Sequence, residues 1–284
     1  MIRTLDPSML NLPFSALDLI PEAAKAGFQA VSVTPDLLED PARAGKAAEL
    51  MRAYGLSWGL LPMPADFYHW ELSDADFEKG LEELGRRASV AEKLGVRTAY
   101  NHVWPASVRP FGENFAWHVS RIARVSGILR EHGVRYGLEF LGPHELRSFA
   151  PVEFLHTLDG ILSLADAAGN GVGVAFDTFH WYTSQNGAEA DLLTMEDRIG
   201  DLVCVHLNDA VAGVPFDRQK DMERRFPMET GVVDSRAILR RFRERGADAL
   251  YMIEPFEPGR TVFHALPLPE AVRYAGEIMR RAEG

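Results

Sequence analysis

Four short stretches end an apolar run on a group able to hold a cation or move a proton: Glu139 in YGLEFLGP, Asp177 in VAFDTFH, His206 in VCVHLND and Glu254 in YMIEPF. Taken singly, each has an ordinary explanation. Asp is a favoured helix N-cap, and a lone histidine in a core is commonly just hydrogen-bonded. Glu254 could close a strand before Pro255, and Glu139 could pair with Arg135 or Arg147. Taken together they call for more. If the four close neighbouring parallel strands, about 4.8 Å apart, three carboxylates crowd into one pocket. They cannot all stay ionised without raised pKa values or a cation between them. A divalent metal resolves the conflict, and this mostly oxygen ligand set suits Mn²⁺, Mg²⁺ or Co²⁺ at least as well as Zn²⁺, with Mn²⁺ the first expectation.

Such a site needs a scaffold that brings four strand ends to one mouth. Apolar runs at residues 3–5, 30–33, 57–63, 98–103, 135–140, 172–176, 202–206 and 250–254 alternate with amphipathic segments at 16–26, 42–54, 74–94, 114–132, 151–168, 188–199, 235–245 and 267–281. That is the pattern of successive βα units on a parallel sheet. AKAGF, EKLGV, REHGV and RERGA each put glycine just past a basic last turn, as helix ends do. Eight units in 284 residues have the size and order of an α/β fold of one kind, a single (β/α)8 TIM barrel, read as one domain over 1–284. The alternative is a doubly wound open sheet, but no G-x-G-x-x-G follows the first strand and no P-loop occurs elsewhere. The stretch NDAVAGVPFDRQKDMERRFPMETG, after the seventh strand, is too long for an ordinary connection and reads as a functional βα loop.

Composition narrows the partners. The chain is 46% hydrophobic and 25% charged, with one cysteine, Cys204, inside an apolar run, so a disulfide framework is excluded and a reducing cytoplasm is expected. No run approaches a membrane span, and MIRTLDPSML lacks the features of a signal peptide. The net charge of −11 repels polyanions, and the basic runs at 240–245 and 280–281 read as solvated helix faces, so nucleic acid is not an expected partner. A homo-oligomer is left open.

The ordered set GLEF, FDTFHWY, VHLND and IEPF resembles the sugar phosphate isomerase/epimerase superfamily, the xylose-isomerase-like TIM barrels, and the eight βα units extend that resemblance over the whole chain. The resemblance implies a metal held by Glu139, Asp177, His206 and Glu254 and a reaction on a sugar or polyol. Similarity to ketose 3-epimerases and inosose isomerases implies that Glu139 and Glu254 are the proton-transfer pair. It also implies that His180 and an arginine of the loop after His206 contact substrate. The pattern R-x-x-P in ERRFPMETG puts that arginine at Arg224, with Arg225 its rival; many relatives have glycine where this chain has Met228 after the proline.

The chemistry open to such a set is proton abstraction next to a carbonyl, with the resulting enediolate stabilised by the metal as Lewis acid. Returning the proton from the opposite face gives epimerisation, and returning it to the neighbouring carbon gives isomerisation. Loss of a hydroxyl or an aglycone makes the enzyme a lyase, such as a keto-inositol or dehydroshikimate dehydratase or a 3-keto-glycoside deglycosidase. An AP-endonuclease-like repair enzyme ranks behind these because it needs more metal-binding histidines and a basic groove. His102 and Trp104 in YNHVWP are expected to contact substrate, and Asn208 and Asp209 either orient His206 and the long loop or make an ordinary turn.

Overall fold

The computed structural model describes residues 1–12 and 14–284. The apolar runs form eight parallel strands: β1 (Ile2–Leu5), β2 (Ala30–Val31), β3 (Ser57–Trp58), β4 (Thr98–Val103), β5 (Arg135–Phe140), β6 (Gly173–Asp177), β7 (Leu202–Leu207) and β8 (Leu250–Ile253). In space they run β3-β2-β1-β8-β7-β6-β5-β4. The gap between β3 and β4 is bridged where Leu60 pairs with Thr98 in parallel and the Leu61 N–H donates to the Thr98 carbonyl (2.8 Å), so the sheet curls into a TIM barrel. Outside it lie α1 (Ala16–Ala26), α2 (Pro41–Tyr54), α3 (Asp74–Leu94), α4 (Phe111–Glu131), α5 (Leu158–Ala168), α6 (Glu189–Asp197), α7 (Ser235–Glu244) and α8 (Leu268–Glu283). At the ends of α1 and α3, Gly27 and Gly95 take the left-handed conformation (φ 86° and 82°) that glycine adopts without penalty.

The period of two along each strand decides which side chains face inward. On β8, Tyr251 and Ile253 pack outward beneath the helices, whereas Leu250 and Met252 join Cys204, Ala175 and Leu60 inside the barrel. The same parity carries one step further up: Cys204 leads to His206, Ala175 to Asp177 and Met252 to Glu254. Register then aligns the strand ends, with His102 opposite Glu139 and Asp177 opposite His206. Leu207 lies opposite Ile253, which leaves Glu254 one step above. The helices bury side chains such as Leu84, Ile122, Ile161 and Phe242 in the layer between helices and barrel. Burial of each such side chain stabilises the fold by about 1.5–3 kcal/mol.

Local departures from the expected pattern have local causes. The segment 151–168 is helical only from Leu158, because Val152–Glu153 pairs antiparallel with Ala106–Ser107, and Thr157 Oγ1 accepts the Gly160 N–H (3.2 Å) to start the helix there. Short helices at Pro35–Glu39, Thr178–Gln185 and Gly259–His264 sit in the βα loops. No helix among the described residues is long and apolar enough to cross a membrane.

Candidate active site

Glu139, Asp177, His206 and Glu254 meet at the C-terminal ends of β5 to β8, each offering one ligand atom, and these atoms lie within 4.8 Å of one another. All four are buried, at 0%, 0%, 0% and 5% exposure. His206 Nδ1 donates to Glu139 Oε1 (2.7 Å) and lies 4.0 Å from Glu254 Oε2. The other oxygen of Glu139, Oε2, has His102 Nε2 at 2.9 Å but no aligned hydrogen-bond donor. Asp177 does two jobs. Its Oδ1 accepts the backbone N–H groups of Phe179 (2.6 Å) and His180 (3.0 Å), capping the helix Thr178–Gln185, while Oδ2 accepts from Asn208 Nδ2 (3.0 Å) and Arg224 Nη1 (2.8 Å). The helix-cap and ligand readings of Asp177 are therefore compatible.

Arg224 reaches the cluster from the long loop after β7. Its Nη1 also donates to Glu254 Oε2 (2.7 Å), Nη2 donates to Asp221 Oδ1 (2.7 Å), and His180 Nε2 lies 3.2 Å from Nη2. The guanidinium is sandwiched by the rings of Phe179 (4.9 Å) and Phe256 (4.4 Å). Arg225 instead pairs its backbone with Asp209 (2.8 and 2.9 Å), which turns successive side chains opposite ways and leaves Arg224 to face inward. The loop is held by the Asp209 carboxylate, fully buried, which accepts the N–H groups of Ala210, Thr230, Gly231 and Val233, each at 2.8 Å. Asn208 orients Asp177, and Asp209 orients the loop. Met228 takes the left-handed conformation (φ 63°) at the third position of a turn closed by the Glu229 N–H on the Phe226 carbonyl (3.0 Å), a place that favours glycine. Arg224 reaches the cluster despite the methionine.

The electrostatics call for positive charge. Burial pushes the Glu254 carboxyl up to about 8; the charges of Glu139 and Asp177 add to the rise, and Arg224 and His206 oppose it. For Glu139, burial raises the pKa, yet the charges of His206 and His102 outweigh it and hold the carboxyl well below its usual range. Burial works to lower His102, but Glu139 beside it drives the imidazole up to about 9. The cluster thus recruits protons and an arginine. Glu139 Oε2 without an aligned donor, and a donor set of three carboxylates and one imidazole within 4.8 Å, fit a divalent cation.

Beside the cluster opens a cavity of about 330 Å³ built mostly from the N-terminal half of the barrel, with Asp6, Ser8, Asp66, Tyr100, Asn101 and His102 among its lining residues. Tyr100 connects the two, its ring edge-on to His206 at 4.7 Å. Of the residues expected to contact substrate, His102 lines this cavity. Trp104 stands near its rim, with Nε1 donating to Asp66 Oδ2 (2.6 Å). His180, 1% exposed, and Arg224, 2% exposed, lie behind the carboxylates and do not line it. Sequence reasoning missed Asp6, Asp66, Tyr100 and Asp221. Asp6 follows β1 directly in IRTLD, but that four-residue strand carries Arg3 and Thr4 and so gives no apolar run for a charge to interrupt.

A TIM barrel with a carboxylate–histidine cluster at its C-terminal mouth defines a class. The chain belongs to the xylose isomerase-like TIM barrel family, whose model matches residues 20–282. It is similar to a xylose isomerase domain protein from Alicyclobacillus acidocaldarius subsp. acidocaldarius, at 25% identity and TM-score 0.80, over 100% of this chain and 98% of that one. At the level of fold it also resembles the IOLI protein solved with a bound zinc atom (18% identity, TM-score 0.80, 100% and 98% covered). D-psicose 3-epimerase from Clostridium cellulolyticum H10, solved with D-tagatose, is a third likeness in fold (14% identity, TM-score 0.72, 100% and 99% covered). No curated protein matches the sequence.

Proposed function

We propose that this protein is a metal-dependent isomerase or epimerase of a sugar or polyol, acting by proton transfer at the carbon next to a carbonyl. The observation that carries the reading is the meeting of Glu139, Asp177, His206 and Glu254 within 4.8 Å beside a cavity of about 330 Å³. These four residues would hold the cation, with Mn²⁺ the first choice. Bound there, a divalent ion supplies Lewis acidity that makes a neighbouring C–H removable. Glu139 and Glu254 close non-adjacent strands, so their carboxylates can approach a substrate from two sides. One takes a proton and the other returns it. His102, whose Nε2 lies 2.9 Å from Glu139 Oε2 and whose ring lines the cavity, can donate to a substrate oxygen there. His180 and Arg224 fix the orientation of Asp177 and Glu254 rather than bordering the cavity. The cavity is at the small end of ligand pockets, which run about 300–1,000 Å³, and suits one sugar ring.

One observation favours the lyase reading. The cavity shares Ser8, Val33 and Pro62 with an open groove of about 400 Å³ that also takes in Leu12 and Phe14, room for an aglycone. Incubation of the Mn²⁺-loaded protein with ketoses, inososes and 3-keto-glycosides in deuterated water separates the two. Solvent deuterium in recovered or isomerised sugar supports the isomerase, and release of water or aglycone supports the lyase. Glu139→Gln and Glu254→Gln are each expected to abolish either reaction. Full activity in both variants would refute the proton-transfer assignment.

A further inference from the structure

The cavity has a polar group that the metal chemistry does not use. Asp6, 5% exposed, turns one oxygen to its own loop: Oδ1 accepts the Ser8 N–H (2.9 Å), the Ser8 hydroxyl (2.5 Å) and the Met9 N–H (3.1 Å). Among the described residues, no donor reaches its Oδ2, and Asp6 lines the 330 Å³ cavity. That oxygen opens onto the cavity rather than being sealed in the core, so a donor group of a ligand can reach it in place of water. Asp66, at the rim, is exposed, and its Oδ2 accepts the Trp104 indole N–H (2.6 Å).

The charge around the cavity is mainly negative. Among the described residues no lysine or arginine lines it, although Arg43 lines the adjoining groove. Arg260, close by, is turned onto the Met9 carbonyl (3.4 Å) and the Phe256 ring (4.2 Å). Arg224 is committed to Asp177, Asp221 and Glu254. With a divalent cation in place, that ion and Arg224 bring three positive charges. Against them stand six carboxylates: Glu139, Asp177, Glu254, Asp221, Asp6 and Asp66. A protonated His102 does not reverse the balance.

We propose that Asp6 is a substrate-binding residue whose free carboxylate oxygen grips a hydroxyl or ammonium group of the substrate, and that it bars phosphorylated and carboxylated sugars. This rests on the reading of the site as a sugar enzyme and adds the class of sugar: a polyol with no anionic group. Ser8 and Tyr100, lining the same cavity, supply hydroxyls beside it.

Asp6→Asn tests this without dismantling the loop, because the amide oxygen can keep accepting from Ser8 and Met9 while the cavity side becomes a donor. Binding of a panel of neutral ketoses, inososes, amino sugars, sugar phosphates and sugar acids to the Mn²⁺-loaded protein is measured by ligand-observed NMR and calorimetry, with deuterium exchange into each ligand recorded in parallel. The expected result is binding of neutral and amino polyols, weakened about tenfold to a hundredfold in Asp6→Asn, as loss of a hydrogen bond to a charged group predicts. Sugar phosphates are expected to bind only in the variant, or not at all. Wild-type preference for phosphates, or unchanged affinity in Asp6→Asn, overturns the proposal. Exchange with unchanged Asp6→Asn binding defeats this inference and spares the enzymatic one. Asp6-dependent binding without exchange or turnover does the reverse; binding and exchange confined to the anionic sugars overturns this inference alone, and failure of every sugar in the panel to bind overturns both.

Discussion

Asp209→Asn is the change that most directly probes how the loop after β7 delivers Arg224. In the wild type, Oδ1 accepts from Ala210 and Val233 and Oδ2 accepts from Thr230 and Gly231, so one buried carboxylate closes both ends of a loop of more than twenty residues. The asparagine keeps one acceptor oxygen and presents an NH₂ to the other pair of N–H groups. Two amides are then left facing a donor. Each buried orphan costs about 1–3 kcal/mol, so about 2–6 kcal/mol in total. The barrel need not unfold to escape that cost, because opening the loop alone exposes the amides to water. The predicted outcome is fast hydrogen exchange at 209–233 and displacement of Arg224 from Asp177 and Glu254, while the thermal midpoint of the barrel moves by only a few degrees. Activity should fall at least tenfold, and Mn²⁺ binding should shift as the Arg224 ion pairs disappear. Hydrogen-exchange mass spectrometry with a metal titration reads both. Wild-type protection across 209–233 in Asp209→Asn would refute the assignment of Asp209 as the anchor.

Other expectations test separate parts of the structure. Met228→Gly should relieve a left-handed side-chain conformation and, after the entropy glycine adds to the unfolded chain, stabilise the protein by about 0.5–1 kcal/mol; calorimetry showing a loss instead would mean the methionine's packing dominates. Gly142→Ala should be harmful although its φ is ordinary, because a Cβ there overlaps the His180 carbonyl and crowds Thr183 and Ser184. A destabilisation of about 1–3 kcal/mol with impaired turnover is expected from such overpacking, and an unchanged melting curve would count against it. Burial, with Arg109 and Arg121 nearby, lowers the His118 pKa to about 4. The folded state therefore binds fewer protons than the unfolded one, so this histidine's contribution is intact above about pH 6.5 and is lost as pH falls toward 4. At pH 5 the loss is about 2 kcal/mol. His118→Phe should lose less stability than the wild type between pH 7 and 5, measured by denaturant titration at both.

What the sequence made legible follows from how strongly each residue breaks its local pattern. Glu139, Asp177 and His206 stand out because a charge or imidazole interrupts a strand of five or six residues that is otherwise buried. Glu254 stands out for the same reason, and parity with Leu250 and Met252 places it inside. Arg224 was separable from Arg225 only by tertiary pairing, since nothing in RR says which of two neighbours the Asp209 bridge will turn inward. The helix Thr178–Gln185 was legible only through the N-cap reading of Asp177, because an eight-residue amphipathic signal is weak. The pair Ala106–Ser107 with Val152–Glu153 is too short for periodicity to reveal; it forms because the chain around Pro105 and Phe154 already lies side by side.

The division of labour around the barrel has a physical basis. The carboxylates and imidazole that could hold a cation occupy the ends of β5 to β8, strands of four to six residues whose ends come level past a register shift between Val174 and Ala175, so buried carboxylates can be held within 4.8 Å of one another. On the other side β2 and β3 have only two residues each, and irregular chain takes over early. That leaves space, and the cavity opens there. A barrel uniformly long on all sides would close over its own centre, while one uniformly short could not force three carboxylates together. Lengthening the paired region at β2 and β3 should therefore shrink the cavity without moving the four clustered residues, and ligand binding should be lost while Mn²⁺ binding remains.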